Sequence, residues 1–369
     1  MREKSAILVQ CGAGSAAGTG GNFMRYNFMN DYNELGHERI LDAIARANRE
    51  QDNAYGLDAH CERAKELIRA RLNGAQSDVH FLVGGTQTNL TIIAASIKPY
   101  QGVICAESGH INTHETGAIE ATGHKVLALP TADGKITAQQ VESCAAAHYA
   151  DVNAEHIVQP GMVYLSQPTE VGTIYAKSEL EAIRRVCVRY GMPLYIDGAR
   201  LGNSFAAVGA DLFLPELAQL TSAFSIGGTK MGALFGEALV ISDPALKKDF
   251  RYHIKQRGGM LAKGRLLGIQ FETLFTDGLY DEIGRHAVTQ ALRIAEGVRA
   301  RGYALFADSP TNQVFPILPK TLLATLSQEF GYAFWQEFDL ENDVVRFCTS
   351  WATPPEMVDA LLQSIPAKQ

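Results

Sequence analysis

The sequence predicts an α/β protein: a large domain on a mostly parallel sheet of seven strands, with a small C-terminal α+β domain behind it. Three observations carry this. Seven apolar runs of three to five residues, bounded by Gly, Pro or polar residues, recur between Val79 and Ile241, as strands buried on both faces do. Segments with apolar residues at helical spacing lie before and between them. After Gly258-Gly259 the pattern turns largely helical, with two late strand patterns and a closing helix.

Taken in order, residues 1–24 read as a flexible leader or arm. Ala6–Val9 followed by Gly12–Gly18 imitates the strand and glycine turn of a dinucleotide-binding unit. Gly18-Thr-Gly-Gly21 then continues the small residues where an apolar helix should begin, so no βαβ unit is completed. The large domain spans 25–265. Ile40–Ala47 and Cys61–Leu72 carry helical spacing, and the strand runs follow: Val79–Val83, Gly102–Cys105, Lys125–Leu129, Met162–Leu165, Leu194–Ile196, Ala223–Ile226 and Ala238–Ile241. One helix between them is fully punctuated: Ser178-Glu-Leu-Glu181 offers a capping box, Leu180, Ile183, Cys187 and Tyr190 form one face, and Gly191 ends it. The small domain spans 266–369, with helical Leu266–Arg301, strands at Asn312–Leu318 and Val344–Thr349, and a helix over Pro354–Ile365.

Composition excludes several classes. Net charge is −7 and no basic run stands out, which argues against a nucleic-acid partner, because phosphate neutralisation needs clustered Lys and Arg. The six cysteines are dispersed with no CxxC pair, so reduced core thiols are expected rather than disulfides or a metal site. No apolar run approaches the ~20 residues of a membrane helix. A cytoplasmic protein that binds neither membrane nor metal is expected.

Chemistry concentrates in two segments. Pro193-Leu-Tyr-Ile-Asp-Gly-Ala-Arg200 brings Asp197 and Arg200 to the end of one strand, and Ser225-Ile-Gly-Gly-Thr-Lys230 brings Lys230 to the end of another. The 33 residues between Asp197 and Lys230 are about one βαβ unit, so the two ends can lie side by side at the carboxyl edge, where open α/β sheets bind ligands. An Asp and a Lys converging there suit pyridoxal phosphate (PLP): the lysine forms the Schiff base and the carboxylate partners the pyridinium nitrogen. Lys230 is flanked by Gly227, Gly228, Thr229, Met231 and Gly232, which leaves room for a ring. Gly84-Gly-Thr-Gln-Thr-Asn89 joins a strand to a helix and offers free N–H groups and a hydroxyl to a phosphate; an ordinary turn capped by Thr88 or Asn89 is the alternative. His110 follows the strand ending at Cys105, with His114 close by, while His156 reads from spacing as a surface residue. Arg200 suits a substrate carboxylate or an ion pair with Asp197. Arg346, amid Val345, Phe347 and Cys348, needs an anionic partner, either a substrate carboxylate or a domain-interface acid.

In this order the motifs resemble the low-specificity threonine aldolases, within the fold-type-I PLP-dependent enzymes that include the β-eliminating lyases. The resemblance runs from about Tyr26 to Trp351. It rests on Asn30-Asp-Tyr32, Tyr55-Gly56, Gly84–Asn89, Gly109-His110 with His114-Glu-Thr-Gly117, Tyr164-Leu165 with Thr169-Glu-Val-Gly172, Asp197–Arg200, Thr229-Lys230, and Arg346 with Thr349. It implies that Lys230 carries PLP, Asp197 meets the pyridine nitrogen, Gly85 and Thr86 hold the phosphate, and His110 stacks on the ring. It implies further that Arg200 and Arg346 bind the substrate carboxylate, that His156 is a second active-site histidine, and that Tyr55 reaches a neighbouring subunit's site in a homodimer or homotetramer. Asn30 stands where a serine is usual.

The expected reaction is retro-aldol cleavage of L-threonine, L-allo-threonine and related β-hydroxy-α-amino acids to glycine and an aldehyde, with His110 or His156 as the base. Two rivals are β-elimination or transamination with the same cofactor, and dinucleotide binding through Gly12–Gly18.

Overall fold

The computed structural model describes residues 24–368, so the Gly12–Gly18 segment lies outside the described residues. Seven strands form at the expected places: β1 (Asp78–Leu82), β2 (Gln101–Ala106), β3 (Val126–Leu129), β4 (Gln159–Ser166), β5 (Leu194–Asp197), β6 (Ala223–Gly227) and β7 (Glu237–Ile241). Across the sheet they run β1-β7-β6-β5-β4-β2-β3. Only β7 is antiparallel to its neighbours, so its first residue, Glu237, stands at the edge where β1 and β6 end, opposite Leu82 and Gly227.

Both faces are covered, which explains the continuous apolar runs. Val163, Leu165, Leu194 and Ile196 enter one apolar layer, and Met162, Tyr164 and Tyr195 the other. By this period of two, Asp197 falls on the Tyr195 face. β5 and β6 are neighbours, with Ile196 opposite Phe224, so Asp197 and Lys230 leave adjacent strands as their spacing predicts. The two exit turns touch because each lacks a Cβ: a methyl on Gly198 would overlap the Ser225 carbonyl oxygen, and one on Gly227 that of Ala199.

Local departures have local causes. The punctuated helix spans Lys177–Tyr190 and ends at Gly191 with φ 66°, but the Ser178–Glu181 box does not form. Ser178 lies inside the first turn, and Glu179 accepts the Ala176 N–H at 2.8 Å while also holding Lys135 at 2.8 Å. The stretch Leu266–Arg301 is two helices, Arg265–Phe275 and Leu279–Ala300, broken where Asp277 and Gly278 take φ of 53° and 73°.

A second apolar core lies behind the sheet. Tyr280 and Ile283 belong to the first core and Ala291 to Val298 to the second. The chain therefore passes between cores within one helix, beyond the division expected at 265/266. At its other end Phe28 is buried in the second core, beside the parallel pairing of Tyr26–Asn27 with Phe330–Gly331. The expected strand Asn312–Leu318 is split into Gln313–Val314 and Ile317–Pro319, both antiparallel to Asn342–Cys348, with Pro316, which has no N–H to give, between them. Ala333–Glu337 adds a strand on the far side of Asn342–Cys348; its half-exposed Phe334 and Trp335 left no clean alternation to read.

Candidate active site

A cleft of about 360 Å³ opens at the carboxyl edge of the sheet, large enough for a small cofactor and a substrate. Gly84, Gly85 and Thr86 enter it after β1, Ser166 at the end of β4 and Glu170 after it, Asp197 at the end of β5 and Arg200 after it, and Thr229 and Lys230 after β6. His110 closes one side.

Asp197 is the most tightly held. It is 5% exposed, its Oδ2 accepts from the Tyr164 hydroxyl at 2.7 Å and the Asn89 amide at 2.8 Å, and its Oδ1 from the Ala199 N–H at 3.0 Å. Tyr164 reaches it because both lie on one face of the sheet; Asn89 because the helix Gly85–Ser96 packs on that face. Burial works against the charged form, yet the facing His110, these donors and Lys230 hold the carboxyl below its ordinary range.

Lys230 sits in the single turn Thr229–Met231, between Gly228 and Gly232. Its amine has no hydrogen bond or ion pair among the described residues. Burial and the nearby Arg200 lower its pKa, against the pull of Asp31, Asp197 and Glu237. At the start of the helix Gly85–Ser96 a Cβ on either Gly84 or Gly85 would meet nothing within 4 Å, so the turn borders open space in the cleft. Thr88 donates back to the Gly84 carbonyl at 2.9 Å, which closes the turn locally, whereas Asn89 is spent on Asp197 and does not cap.

His110 begins a short helix; its backbone N–H donates to Glu170 Oε1 at 2.8 Å and its Nε2 lies 3.8 Å from Glu115. Burial lowers its pKa to about 4, with Asp197 opposing, which leaves the ring neutral at pH 7.

Arg200 makes no ion pair with Asp197. It grips Asp31 instead, Nε to Oδ2 at 2.6 Å and Nη2 to Oδ1 at 3.0 Å, leaving Nη1 without a protein partner among the described residues. Asp31, with 0% side-chain exposure, also accepts from the Asn312 amide at 2.9 Å. Burial alone would raise its pKa, but Arg200 and Lys230 bring it down to about 2. Arg346 lies outside the cleft lining, with Nη1 donating to Gln313 and Nη2 to the Met29 carbonyl, both at 3.2 Å. Its Nε is buried without a partner, and among the described residues no carboxylate pairs with it, so the domain-interface ion pair is not formed. Asn30 Oδ1 accepts the Tyr32 N–H at 2.9 Å, which leaves its amide nitrogen to donate.

Two expected residues are not brought in. His156 is exposed on the turn Ala154–His156, just ahead of β4, and so stands at the amino edge of the sheet while the cleft is at the carboxyl edge. Tyr55, 44% exposed at φ 60°, lies under Lys255 with its carbonyl bonded by Arg251, away from the cleft.

Sequence reasoning missed Asn89, Tyr164 and Asp31 as supports, and three further carboxyls. Burial raises Glu115 and Glu170 to about 7 and Glu237 to about 8; in each case the charge on Asp197 adds to the effect, while Asn89, Ser166 and Lys230 respectively oppose it. Glu115 and Glu170 carried a signal, as parts of His114-Glu-Thr-Gly117 and Thr169-Glu-Val-Gly172; Glu237 carried none.

The chain is similar to known proteins along most of its length. The sequence profile of the family described as β-eliminating lyase matches residues 28–318. The low-specificity L-threonine aldolase of Pseudomonas aeruginosa is 33% identical over 326 residues, 88% of this chain and 92% of that one. A solved threonine aldolase from Leishmania major is 45% identical with a TM-score of 0.89, covering 92% of this chain and 98% of its own. Aspartate aminotransferase from Thermus thermophilus, 15% identical, shares the fold at a TM-score of 0.66 over 92% of this chain and 90% of its own.

Proposed function

The chain belongs to the β-eliminating lyase family, and from that premise we propose that it cleaves L-threonine, L-allo-threonine and related β-hydroxy-α-amino acids to glycine and an aldehyde. The enzyme is PLP-dependent, with the fold of the fold-type-I class. One observation carries the reading: an unpartnered lysine and a buried aspartate held in its charged form leave adjacent strands into one cleft, beside a glycine-opened helix start.

The residues fit PLP. Lys230 is the amine that would bond it, Asp197 the anion for its pyridine nitrogen, Gly85 and Thr86 the phosphate cradle, and His110 the ring cover. Bound there, PLP supplies the electron sink for the pair released when Cα–Cβ breaks. The protein does the rest. Arg200, which lines the cleft and whose Nη1 has no protein partner, grips the substrate carboxylate, with Arg346 and the Asn30 amide as further donors once Arg346 turns from Gln313 and the Met29 carbonyl. The Asp31 carboxylate fixes the plane of the Arg200 guanidinium, so its Nη1 points one way. The Lys230 amine, its pKa lowered by burial and by Arg200, would hold PLP and can hold or give up a proton at Cα.

Tyr55 fits the same reading in a homo-oligomer, where an exposed aromatic braced by Lys255 and Arg251 reaches a neighbouring subunit's cleft. Among the described residues no helix is long and apolar enough to cross a membrane, and Cys61, Cys105, Cys144, Cys187 and Cys348 are unpaired, which supports a cytoplasmic setting. Absorbance of the purified protein, with product analysis on both threonine diastereomers, tests the proposal. Lys230→Ala is expected to lose the imine absorbance and lyase activity together. Retention of both in a folded variant overturns it, and α-keto acid with ammonia in place of glycine with acetaldehyde would favour the elimination rival.

A further inference from the structure

The cleft contains a carboxyl that none of these roles uses. Glu170 stands in the turn that leaves β4 through Gln167, Pro168 and Thr169, and it lines the cleft together with Asp197 and Lys230. One of its oxygens is clamped: Oε1 accepts the His110 backbone N–H at 2.8 Å and the Ser166 hydroxyl at 2.6 Å. The other, Oε2, has no hydrogen-bond partner among the described residues, and the side chain is only partly buried. A carboxyl held by one oxygen presents the second at a fixed point, as proton transfer requires.

The other candidates are each committed or misplaced. The ring of His110 stands against Glu115 and is the group expected to cover the cofactor. His114 is exposed, and His156 is at the opposite edge of the sheet. Glu115 has 0% side-chain exposure and gives Oε1 to Asn89. Glu237 is 3% exposed, with Oε2 sealed from any partner.

We propose that Glu170 takes up the β-hydroxyl proton of the substrate. The inference rests on the aldol-cleavage reading above and names the base within it. Glu170 Oε2 forms a bond to the hydroxyl proton, and the O–H electron pair becomes the second C–O bond of the aldehyde as Cα–Cβ breaks. The Cα–Cβ pair stays with Cα, which gains one proton to give glycine. One proton leaves oxygen and one arrives at carbon, so the step balances without oxidant or reductant. Burial and the Asp197 charge raise Glu170 toward neutrality, opposed by Ser166 and the His110 N–H, which suits a group that must both accept and return a proton near pH 7.

The test uses the PLP-loaded enzyme and Glu170→Gln, whose amide oxygen can keep the His110 and Ser166 bonds. Three readouts are taken: acetaldehyde release from threonine, exchange of the glycine Cα proton in D2O by NMR, and cofactor absorbance. Glycine has no hydroxyl, so its exchange needs no base at that position. Cleavage is expected to fall ~10²- to 10⁴-fold, while exchange and absorbance change by less than about threefold. Glu170→Asp, which keeps the carboxyl one methylene back, is expected to cleave faster than the Gln variant. Cleavage within about threefold of the unmodified enzyme overturns the assignment. So does a parallel loss of cleavage, exchange and absorbance, or an Asp variant no better than Gln. If the unmodified enzyme exchanges glycine but releases no aldehyde from threonine, the aldolase reading itself has failed, independently of Glu170.

Discussion

Asp31→Asn tests how the cleft is held together. Asp31 is sealed from solvent, binds Arg200 through two oxygens and Asn312 through one of them, and so ties the N-terminal segment to both β5 and the second core. Its folded pKa of about 2, against about 3.9 in an unfolded chain, corresponds to roughly 2.5 kcal/mol of pH-linked stability. Removing one member of a buried pair strands the other, at a typical cost of ~3–5 kcal/mol; the isosteric amide keeps part of the bonding, so about 3 kcal/mol is expected at pH 7. The sign follows from a depressed carboxyl: its contribution is complete above the unfolded pKa and disappears as pH falls through the folded one. The gap between the two proteins should therefore be full at pH 6–7, begin to narrow near pH 4, and go on closing toward pH 2. Urea denaturation at a series of pH values, with PLP fixed, measures it. A gap under about 1 kcal/mol at pH 7, or one that does not narrow on acidification, refutes this account of Asp31.

Three further outcomes are expected. Arg346→Lys should lower kcat/KM for threonine by roughly 10- to 150-fold, the ~1.5–3 kcal/mol of a charged hydrogen bond, mostly through KM and with cofactor absorbance intact; an unchanged KM removes Arg346 from carboxylate binding. Tyr164→Phe takes a donor from the buried Asp197 carboxylate and should cost about 1.5–3 kcal/mol in stability or PLP affinity; equal melting and PLP titration curves would show that this bond contributes nothing. Glu115, Glu170 and Glu237 have raised pKa values, so their share of stability is complete below about pH 4.3 and is lost as pH climbs through 7 to 8. The PLP-free protein should thus weaken between pH 5 and 9, and Glu237→Gln should flatten that slope; a slope unaltered by the substitution refutes the assignment to Glu237.

What could be read from sequence was whatever local pattern dictates. Asp197 and Lys230 each end an apolar run beside small residues, so their type, place and adjacency followed from strand length and βαβ spacing. What escaped depends on contacts between distant segments. Asp31 meets Arg200 only after the N-terminal segment has crossed to the second core. Glu237 reaches the carboxyl edge only because β7 runs backwards, and an apolar run looks the same in either direction. His156 shows the converse: the resemblance supplied a role, while its place before β4 puts it across the sheet from the cleft within this chain.

Charge explains why the missed carboxyls matter. If all five acids around the cleft ionised, they would face two cations, Lys230 and Arg200, in a poorly solvated space, and like charges that close push their pKa values apart. Which acids keep their charge follows from the donors each has. Asp31 accepts three hydrogen bonds, two from Arg200 and one from Asn312, and Asp197 accepts three, from Tyr164, Asn89 and Ala199; both are driven down. Glu170 accepts two, Glu115 one, and Glu237 has an oxygen with no partner; all three are driven up. The fold thus sorts its acids into fixed anions, which hold a guanidinium and a cofactor nitrogen, and proton carriers. Among the carriers, Glu170 alone keeps an unpartnered oxygen on the open side of the cleft, where a substrate hydroxyl can reach it.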